Sequence, residues 1–310
     1  MAGVLDSAPP PFVALHARWQ IGLFAALGSP FATPSYLRTL GPAAEERGFH
    51  SVWAAEHVVL FDEYTSAYPY AADGRIPARG ESGFLDPFLA LSFIAAGTRT
   101  LRLGTGICLV PQRNPVYTAK AVSDLDWMSG GRVDFGVGVG WLAEEFRALG
   151  VPFERRGARC RAYLRLMQRL WSDPVSCYES EFYSLPACRQ YPKPIQQPHP
   201  PIHFGGESDA ALKRVADLGQ GWYGFNIGPD ETAARLRRLD ELLAARGRTR
   251  REVQISVSPY LKPIDLDQVK RYRDAGVDQV IVLARGADRD TLLAGLDELA
   301  ARIVAPAAHL

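Results

Sequence analysis

The chain has 310 residues, of which 47% are hydrophobic and 22% charged, which is the composition of an ordinary globular protein. Its formal charge of +1 excludes a broad electrostatic surface that would recruit nucleic acid or anionic lipid. The apolar stretches have the length of strands and fall short of the roughly 20 residues that span a bilayer, so we expect no membrane segment.

The N-terminal segment, residues 1–18, contains an aspartate and three consecutive prolines and lacks a basic start. We therefore expect a flexible lead-in and a cytoplasmic protein, not a secretory signal. The cysteines, at positions 108, 160, 177 and 188, form no CxxC pair and have no histidine at zinc-ligand spacing. The sequence thus predicts free thiols and no metal site.

From Trp19 onward, strand-sized runs alternate with helical patterns. The runs are short and rich in β-branched or aromatic residues, as buried parallel strands are. The predicted strands are Trp19–Phe24, Ser51–Ala55, Leu101–Leu109, Val133–Val139, Ile202–Gly205, Trp222–Phe225, Val253–Ser258 and Gln279–Leu283. Eight strands with helices between them and no break in composition predict one α/β domain, a closed (β/α)₈ TIM barrel over residues 19–304 with long loop insertions.

Helix ends are marked by capping residues, prolines and glycines. Thr33, Asp86 and Asn114 each precede a proline at a first helical position, as helix N-caps do. The glycines expected to end helices stand at 41, 48, 97, 130, 219 and 276. Gly41-Pro42 falls inside the first helical pattern, so we expect that helix to kink or divide there.

Two connections are too long for plain turns: Leu60–Gly83, which carries three tyrosines, and Cys177–Pro201, which is dense in proline. Long loops in a compact domain are commonly functional. The first loop follows strand two and so lies at the C-terminal mouth of the barrel, where barrel active sites assemble. We expect both loops to form pocket walls. Their aromatic residues, with Trp141, favour a mainly apolar organic substrate.

The segment Arg132–Trp141 carries glycines at 136, 138 and 140, a period of two along a predicted strand. A dinucleotide-binding motif is excluded, because GxGxxG needs a small residue where Trp141 stands. Glycines at this period remove side chains from one face of a strand. The freed face would admit either a flat ligand or a neighbouring backbone, or would serve tight helix packing, and the sequence leaves these alternatives open.

After the predicted strand Ile202–Gly205, a second glycine turns the chain and Ser208 caps an amphipathic helix. Unpaired backbone N–H groups at such a helix start form an anion site, as in barrels that hold a cofactor phosphate there. An ordinary βα turn is the alternative. Glu207 opposes a phosphate, so we expect its carboxylate to point away.

Glu56 and His57 lie at the exit of strand two, on the catalytic face of the predicted barrel. A histidine there can donate to a cofactor or substrate atom, or move a proton near neutral pH; a structural histidine is the alternative. In the next strand, Gly104 and Gly106 predict a bulge or a close backbone contact. Asn114 then caps the following helix.

Taken in order, these segments resemble the luciferase-like flavin monooxygenase superfamily across about Gln20 to Leu283. The motifs are Gly48-Phe-x-Ser-Val-Trp-x-x-Glu-His57, Leu103-Gly-Thr-Gly-Ile107, Arg113-Asn-Pro115, Gly131-Arg-Val-Asp-Phe-Gly-Val-Gly-x-Gly-Trp141 and Pro201-Ile-x-Phe-Gly-Gly206. Each motif alone is weak, whereas the ordered set is specific. The resemblance implies a barrel enzyme with its cofactor at the C-terminal mouth, usually a homodimer.

The resemblance also implies roles for individual residues. Gly106–Ile107 is the candidate for a non-proline cis peptide behind the cofactor ring, and His57, beside Glu56, would face the reactive centre. Asn114 would contact the ring edge. The other residues implied in cofactor binding are Thr105, Gly138, Gly140 and Trp141 around the ring, and Gly205, Gly206, Glu207 and Ser208, through backbone groups, around the phosphate.

The Glu56-His57 pair, Gly106-Ile107 and the chain length are most similar to the oxidoreductases that use the deazaflavin coenzyme F420. This similarity implies hydride transfer to or from an organic substrate. Arg113 and Arg79 are candidates for binding the anionic tail of that coenzyme. The alternative is a monooxygenase that inserts oxygen with FMN, and a flavin or F420 reductase would then supply the reduced cofactor. A metal-dependent hydrolase and a non-catalytic binding protein are the competing classes.

Overall fold

The computed structural model describes residues 19–78 and 81–310, so the predicted lead-in, residues 1–18, lies outside the described part. The strands of the barrel are β1 (Gln20–Ala25), β2 (Ser51–Ala54), β3 (Arg102–Thr105), β4 (Val133–Gly138), β5 (Ile202–Gly205), β6 (Gly221–Phe225), β7 (Gln254–Ser258) and β8 (Gln279–Leu283). All run parallel to their neighbours; β1 pairs with β8 and β2, and β5 pairs with β4 and β6. The sheet therefore closes on itself, and the predicted eight-stranded barrel is confirmed.

Helices lie between successive strands on the outside of the barrel. They are α1 (Pro34–Glu46), α2 (Pro87–Ala96), α3 (Pro115–Ser129), α4 (Ala143–Ala148), α5 (Arg156–Ser172), α6 (Asp209–Leu218), α7 (Pro229–Ala244), α8 (Leu266–Asp274) and α9 (Arg289–Leu299). A π-helical turn, Ala300–Val304, and the short helix Ala305–Ala307 continue α9. Within the described ranges, no helix has both the length and the apolar character needed to cross a membrane.

The predicted N-caps are confirmed. The side chains of Thr33, Asp86, Asn114 and Ser208 each accept a hydrogen bond from a backbone N–H in the first turn of their helix. Gly97, Gly130 and Gly219 cap the C-termini of their helices as expected. All four cysteines are free thiols, also as expected.

The helix does not divide at Gly41-Pro42, because α1 continues through both residues to Glu46. A Cβ atom on Gly41 would lie 2.7 Å from Ile94 Cγ2, so the missing side chain allows α1 to pack closely on α2. The Pro42 ring lies against Gly97 at the end of α2. Packing against a neighbouring helix therefore outweighs the unfavourable helix propensity of glycine and proline.

The predicted strand Leu101–Leu109 is interrupted. β3 ends at Thr105, and only Cys108–Leu109 pairs again, with Val137 and Gly138 of β4. Between the two pieces the Gly106–Ile107 peptide is cis, as the resemblance implies. The irregularity that the glycines at 104 and 106 predicted is therefore present, and it places this peptide at the C-terminal end of the barrel.

Glycines inside the barrel make room for neighbouring protein atoms. A Cβ on Gly104 would lie 2.3 Å from the Trp53 indole, and one on Gly136 would lie 1.8 Å from the carbonyl oxygen of Thr105. A Cβ on Gly138 would lie 2.0 Å from Ile107 Cδ1. Of the alternatives left open by the sequence, close approach of a neighbouring segment explains Gly136 and Gly138.

We expect the substitution Gly136→Ala to lower the free energy of unfolding by about 3 kcal/mol or more, since overpacking a filled interior forces the backbone apart. The Thr105 hydroxyl also donates to the Gly136 carbonyl at 2.6 Å, so the displacement would break that bond. Urea denaturation measures the change. The matched control is Gly228→Ala, where nothing lies within 4 Å of the added Cβ. Equal stability of the two variants would contradict this explanation of Gly136.

Candidate active site

A cavity of about 450 Å³ opens at the C-terminal ends of the barrel strands. Its volume is within the range of small-molecule sites. The strand exits supply its floor, and the loop Leu60–Gly83 supplies one wall through Tyr68, Tyr70 and Ile76. The prediction that this loop lines the pocket is therefore confirmed.

The second long connection, Cys177–Pro201, contributes none of the residues that line this cavity in the described part of the chain, so that prediction is wrong. Its first half forms an antiparallel hairpin, Ser176–Glu179 with Ser184–Cys188. Its second half lies at the other end of the barrel, where Gln196 donates to the carbonyl of Val133 at the start of β4. A segment that leads into a parallel barrel strand meets the N-terminal end of that strand, away from the catalytic mouth.

Most residues predicted for the site come together around this cavity. Those that line it are Glu56, His57, Gly106, Ile107, Gly138, Gly140, Trp141, Gly205, Gly206 and Ser208. Although these residues span 153 positions of the chain, from 56 to 208, parallel strands bring their exits to one mouth.

Three predicted contacts do not line the cavity. Asn114 is exposed, and its side-chain oxygen accepts from Val116 N at 3.0 Å as the cap of α3, so the capping interpretation is right and the ring contact is not supported. Thr105 is buried with its hydroxyl bonded to β4. The side chain of Glu207 turns away from the cavity, as expected from its charge.

His57 follows β2, and its ring Nδ1 lies 3.1 Å from Oε2 of Glu145. The ring packs against Trp141 and Phe84 at centroid distances of 5.7 and 5.8 Å. A carboxylate at Nδ1 selects the tautomer with its proton on that nitrogen and orients the ring. Nε2 remains without a protein partner among the described residues, so His57 can exchange a proton with a molecule in the cavity.

Glu145, in α4, is the partner of His57, and sequence reasoning missed it. Its fully buried carboxylate also accepts from Val58 N at 2.7 Å and from Gln112 Nε2 at 3.0 Å. Burial raises the pKa of Glu145, but the hydrogen bonds from His57, Gln112 and Val58 outweigh it, so the pKa is lowered overall. The sequence feature that could have indicated this residue is the pair of adjacent glutamates, Glu144 and Glu145, shortly after the glycine-rich strand.

Glu56 anchors the cavity wall. One carboxylate oxygen accepts from Leu109 N at 2.6 Å and the other from Arg113 Nε at 2.5 Å. Arg113 also bonds Asp86 at the N-cap of α2. Glu56, which was predicted as a catalytic residue beside His57, lines the cavity with both oxygens bonded to protein donors. Arg113 is likewise neutralised and does not line the cavity, while Arg79 lies outside the described residues.

The turn after β5 has the geometry of an anion site. Gly206 adopts φ +102°, a conformation that favours glycine, and the Ser208 side chain accepts from Ala211 N at 3.2 Å. The carboxylate of Asp209 pairs with Arg238 on α7. Gly206 and Ser208, which lead into α6, line the cavity, and the carboxylates of Glu207 and Asp209 hold partners away from it.

Glu207 points instead towards the opposite wall. Its carboxylate accepts from Phe225 N at 2.8 Å and from the Tyr70 hydroxyl at 3.2 Å. Burial raises the pKa of Glu207 to about 7, although these two hydrogen bonds act in the opposite direction. A carboxyl group with a raised pKa therefore lies behind the cavity wall, bonded to Tyr70 and Phe225, which line the cavity.

We expect the substitution Glu207→Gln to remove a pH dependence of stability. The folded protein holds the Glu207 proton to a higher pH than the unfolded chain, whose glutamates have the ordinary pKa. Wild-type stability should therefore fall, by about 3 kcal/mol, as the pH rises from about 4.5 to above 7. Urea denaturation of both proteins at pH 5 and pH 8 tests this. If the two proteins differed in free energy of unfolding by the same amount at pH 5 and at pH 8, the expectation would be contradicted.

No three His, Cys, Asp or Glu side chains in residues 19–78 and 81–310 are grouped so that they could hold a metal ion. The barrel and the cavity at its C-terminal mouth have the arrangement of a TIM-barrel enzyme, in which the active site lies at that mouth. Residues 17–279 match the family described as luciferase-like monooxygenase. The chain therefore belongs to the luciferase-like monooxygenase family.

Relatives within this family differ in the cofactor that their names state. The uncharacterized protein Rv0953c of Mycobacterium tuberculosis is 31% identical over 263 residues, which are 84% of this chain and 91% of that protein. The F420-dependent glucose-6-phosphate dehydrogenase of Kineococcus radiotolerans is 29% identical over 243 residues, 76% of this chain and 65% of that protein. The FMNH(2)-dependent dimethylsulfone monooxygenase of Pseudomonas putida is 29% identical over 184 residues, which are 57% of this chain and 49% of that protein.

A solved structure supports the fold. The coenzyme F420 dependent tetrahydromethanopterin reductase from Methanopyrus kandleri superposes with a TM-score of 0.72, covering 94% of this chain and 99% of that one, at 18% sequence identity.

Proposed function

We propose that the protein is an F420-dependent oxidoreductase that transfers hydride to or from a mainly apolar organic substrate. The observation that carries this proposal is His57, held by Glu145 with Nε2 free, in a cavity that the anion-type turn of α6 also lines. The Glu56-His57 sequence and the F420-dependent relative at 29% identity support the choice of cofactor.

The residues around the cavity fit such a cofactor. Gly106, Gly138 and Gly140 bring backbone atoms to the surface of the cavity, where a flat ring would contact them. Gly206 and the first turn of α6 would hold the phosphate through N–H groups. When bound, the deazaflavin would supply a carbon that accepts or donates hydride and does not activate oxygen.

The chain's own groups would supply the proton that accompanies each hydride. His57 would donate a proton from Nε2 to the substrate, or remove one in the reverse direction. Glu145 would keep the ring oriented and balance the positive charge of the protonated ring. The aromatic wall would exclude water from the transfer.

That wall also indicates the substrate class. Tyr68, Phe84, Phe225 and Tyr260 line the cavity together with Trp141. A surface of this kind favours an apolar or aromatic organic molecule. Profiling with a compound set that includes small charged molecules tests this, and turnover of the charged compounds alone would overturn it.

The second candidate is an FMN-dependent monooxygenase supplied by a reductase partner, which the Pseudomonas putida relative favours. Parallel titration with F420 and with FMN, followed by quenching of tryptophan fluorescence, decides between the two. Trp141 lines the cavity and makes this readout suitable. We expect tighter binding of F420. Preference for FMN would overturn the proposal and favour the monooxygenase.

We further propose that the protein is a homodimer. The neighbouring helices α2 and α3 expose large apolar side chains, among them Leu89 at 75% and Tyr117 at 81%. Phe93, Trp127 and Met128 extend this apolar face. Exposed apolar side chains clustered on two packed helices indicate a protein interface. Analytical ultracentrifugation should show a dimer for the wild type and a monomer for Tyr117→Asp. A monomeric wild type would contradict the dimer.

A further inference from the structure

Residues 64–76, within the first long loop, form a compact segment with hydrogen bonds of its own. The Tyr64 hydroxyl accepts from Ile76 N at 2.9 Å and so joins the two ends of the segment. Inside the segment, Tyr68 N donates to the Gly74 carbonyl at 2.8 Å. A loop with joined ends and internal contacts is an Ω-loop, a type that is frequently functional. Because these bonds lie within the 64–76 segment, it can move as one body without breaking them.

The 64–76 segment lies across the mouth of the barrel. Tyr68 packs on Trp141, which follows β4, at a centroid distance of 5.2 Å. Tyr70 packs on Phe225, at the end of β6, at 4.9 Å. The strand between them is β5, whose exit leads into the turn at Gly206. The segment therefore covers the part of the mouth at which the proposed cofactor would enter.

Glu144, in the first turn of α4, fastens one side of this segment. Its carboxylate accepts from Thr65 N at 2.7 Å, Thr65 Oγ1 at 2.9 Å and Ser66 Oγ at 2.7 Å. Ser66 Oγ in turn accepts from Ala143 N at 3.0 Å. Burial raises the pKa of Glu144, but the hydrogen bonds from Thr65 and Ser66 outweigh it and lower the pKa to about 2. The carboxylate is therefore charged at neutral pH, where its hydrogen bonds are strong.

Tyr70 fastens the other side. Its hydroxyl donates to Glu207 at 3.2 Å, and its backbone carbonyl accepts from Asn226 Nδ2 at 3.0 Å. Glu207 and Asn226 belong to the turns after β5 and β6. The 64–76 segment is thus attached to the barrel on both sides of the mouth.

The attachment through Glu144 is also continuous with the support of His57. The next residue, Glu145, holds His57 Nδ1 at 3.1 Å. The Trp141 ring contacts Tyr68 on one side and His57 on another, at centroid distances of 5.2 and 5.7 Å. The position of the segment and the packing around His57 therefore depend on the same first turn of α4.

We propose that residues 64–76 are a lid that opens and closes the cavity, and that the Glu144 carboxylate is the clasp that holds it closed. The proposed function enters only through the molecule that passes the lid, which is F420 or FMN. A lid across the path of a ligand limits both its entry and its release. Loosening the clasp enlarges the open fraction and so raises both rates.

The first experiment detects opening without any ligand. Hydroxyl-radical footprinting compares the oxidation of Tyr68, which is 8% exposed, with that of Tyr191, which is 58% exposed and serves as the internal reference. In Glu144→Ala we expect oxidation of Tyr68 to rise about tenfold, since a lost hydrogen bond to a charged group changes a population by this factor. The Tyr68 amide should keep its protection from hydrogen exchange, because its bond to Gly74 moves with the lid.

Two variants serve as comparisons in that experiment. Glu231→Ala is the matched control, because Glu231 also lies in a first helical turn and is exposed, and it does not line the cavity. It should leave the oxidation of Tyr68 at the wild-type level. Glu144→Gln keeps one oxygen that can accept from Thr65 and should recover part of the protection. Circular dichroism and thermal melting establish that all variants are folded.

The second experiment measures the association and dissociation rates of F420 and of FMN by stopped-flow tryptophan fluorescence. We expect Glu144→Ala to raise both rates of the bound cofactor about tenfold, with a smaller change in the dissociation constant. Tyr70→Phe, which removes the bond to Glu207 and keeps the ring, should act in the same direction. Faster dissociation with unchanged association would mean that Glu144 only stabilises the bound state, and would overturn the lid.

Oxidation of Tyr68 that is the same in Glu144→Ala and wild type would also overturn the lid, as would loss of protection at the Tyr68 amide, which would show unfolding of the segment. Failure of the proposed function has a different outcome. If Tyr68 becomes accessible in Glu144→Ala while neither cofactor binds, the lid stands and the cofactor assignment falls. If F420 binds tightly and neither the rates nor the oxidation change, the assignment stands and the lid falls.

Discussion

The substitution His57→Ala should lower turnover by about 100- to 10,000-fold, which is the usual contribution of a positioned general acid or base. The affinity for the cofactor should change by no more than a few fold, since the anion-type turn of α6 is separate from the His57 ring. The measurement is turnover at saturating cofactor and substrate, together with the cofactor dissociation constant by fluorescence titration.

Two further variants make this test specific. His309→Ala is the matched control, because His309 is exposed at the C-terminus and does not line the cavity. Glu145→Gln keeps an oxygen that can accept from Val58 N but removes the negative charge beside His57. If Glu145 is a positioning residue, this variant should alter the pH profile of turnover and not only its maximum. Full turnover of His57→Ala with cofactor bound would refute a catalytic His57.

The substitution Gly206→Asp should weaken cofactor binding by at least about 100-fold. Three effects act together: φ +102° is unfavourable for any residue with a side chain, the side chain blocks access to backbone N–H groups, and the carboxylate repels a phosphate. Losing a single charge-assisted hydrogen bond already costs about 10- to 100-fold in affinity. Titration with an intact phosphate-bearing cofactor measures the loss.

Gly206→Asn separates charge from shape. Asparagine has the size of aspartate and meets the same backbone conformation, so any affinity difference between the two variants reports the carboxylate charge. We expect Asn to bind at least about tenfold tighter than Asp. Circular dichroism and thermal melting establish that both variants are folded. If Gly206→Asp and Gly206→Asn bound the cofactor equally, no anion would lie at this turn. If both bound it as tightly as the wild type, Gly206 would not belong to the site.

The features that sequence predicted correctly depend on local interactions. The eight strands follow from short β-branched runs, and the caps at Thr33, Asp86, Asn114 and Ser208 bond to N–H groups two or three residues away. Ten of the thirteen predicted site residues line one cavity, because every strand of a parallel barrel ends at the same mouth.

Contacts between residues that are far apart in sequence were evident only from the tertiary structure. Glu145 lies 88 positions from His57 in sequence, and no local pattern pairs them. At Gly41, Ile94 of α2 leaves no room for a Cβ, and the segment around Gly41 does not reveal this contact. Composition and periodicity determine elements and their order, whereas charge pairing and close packing are set by which side chains the closed barrel brings together.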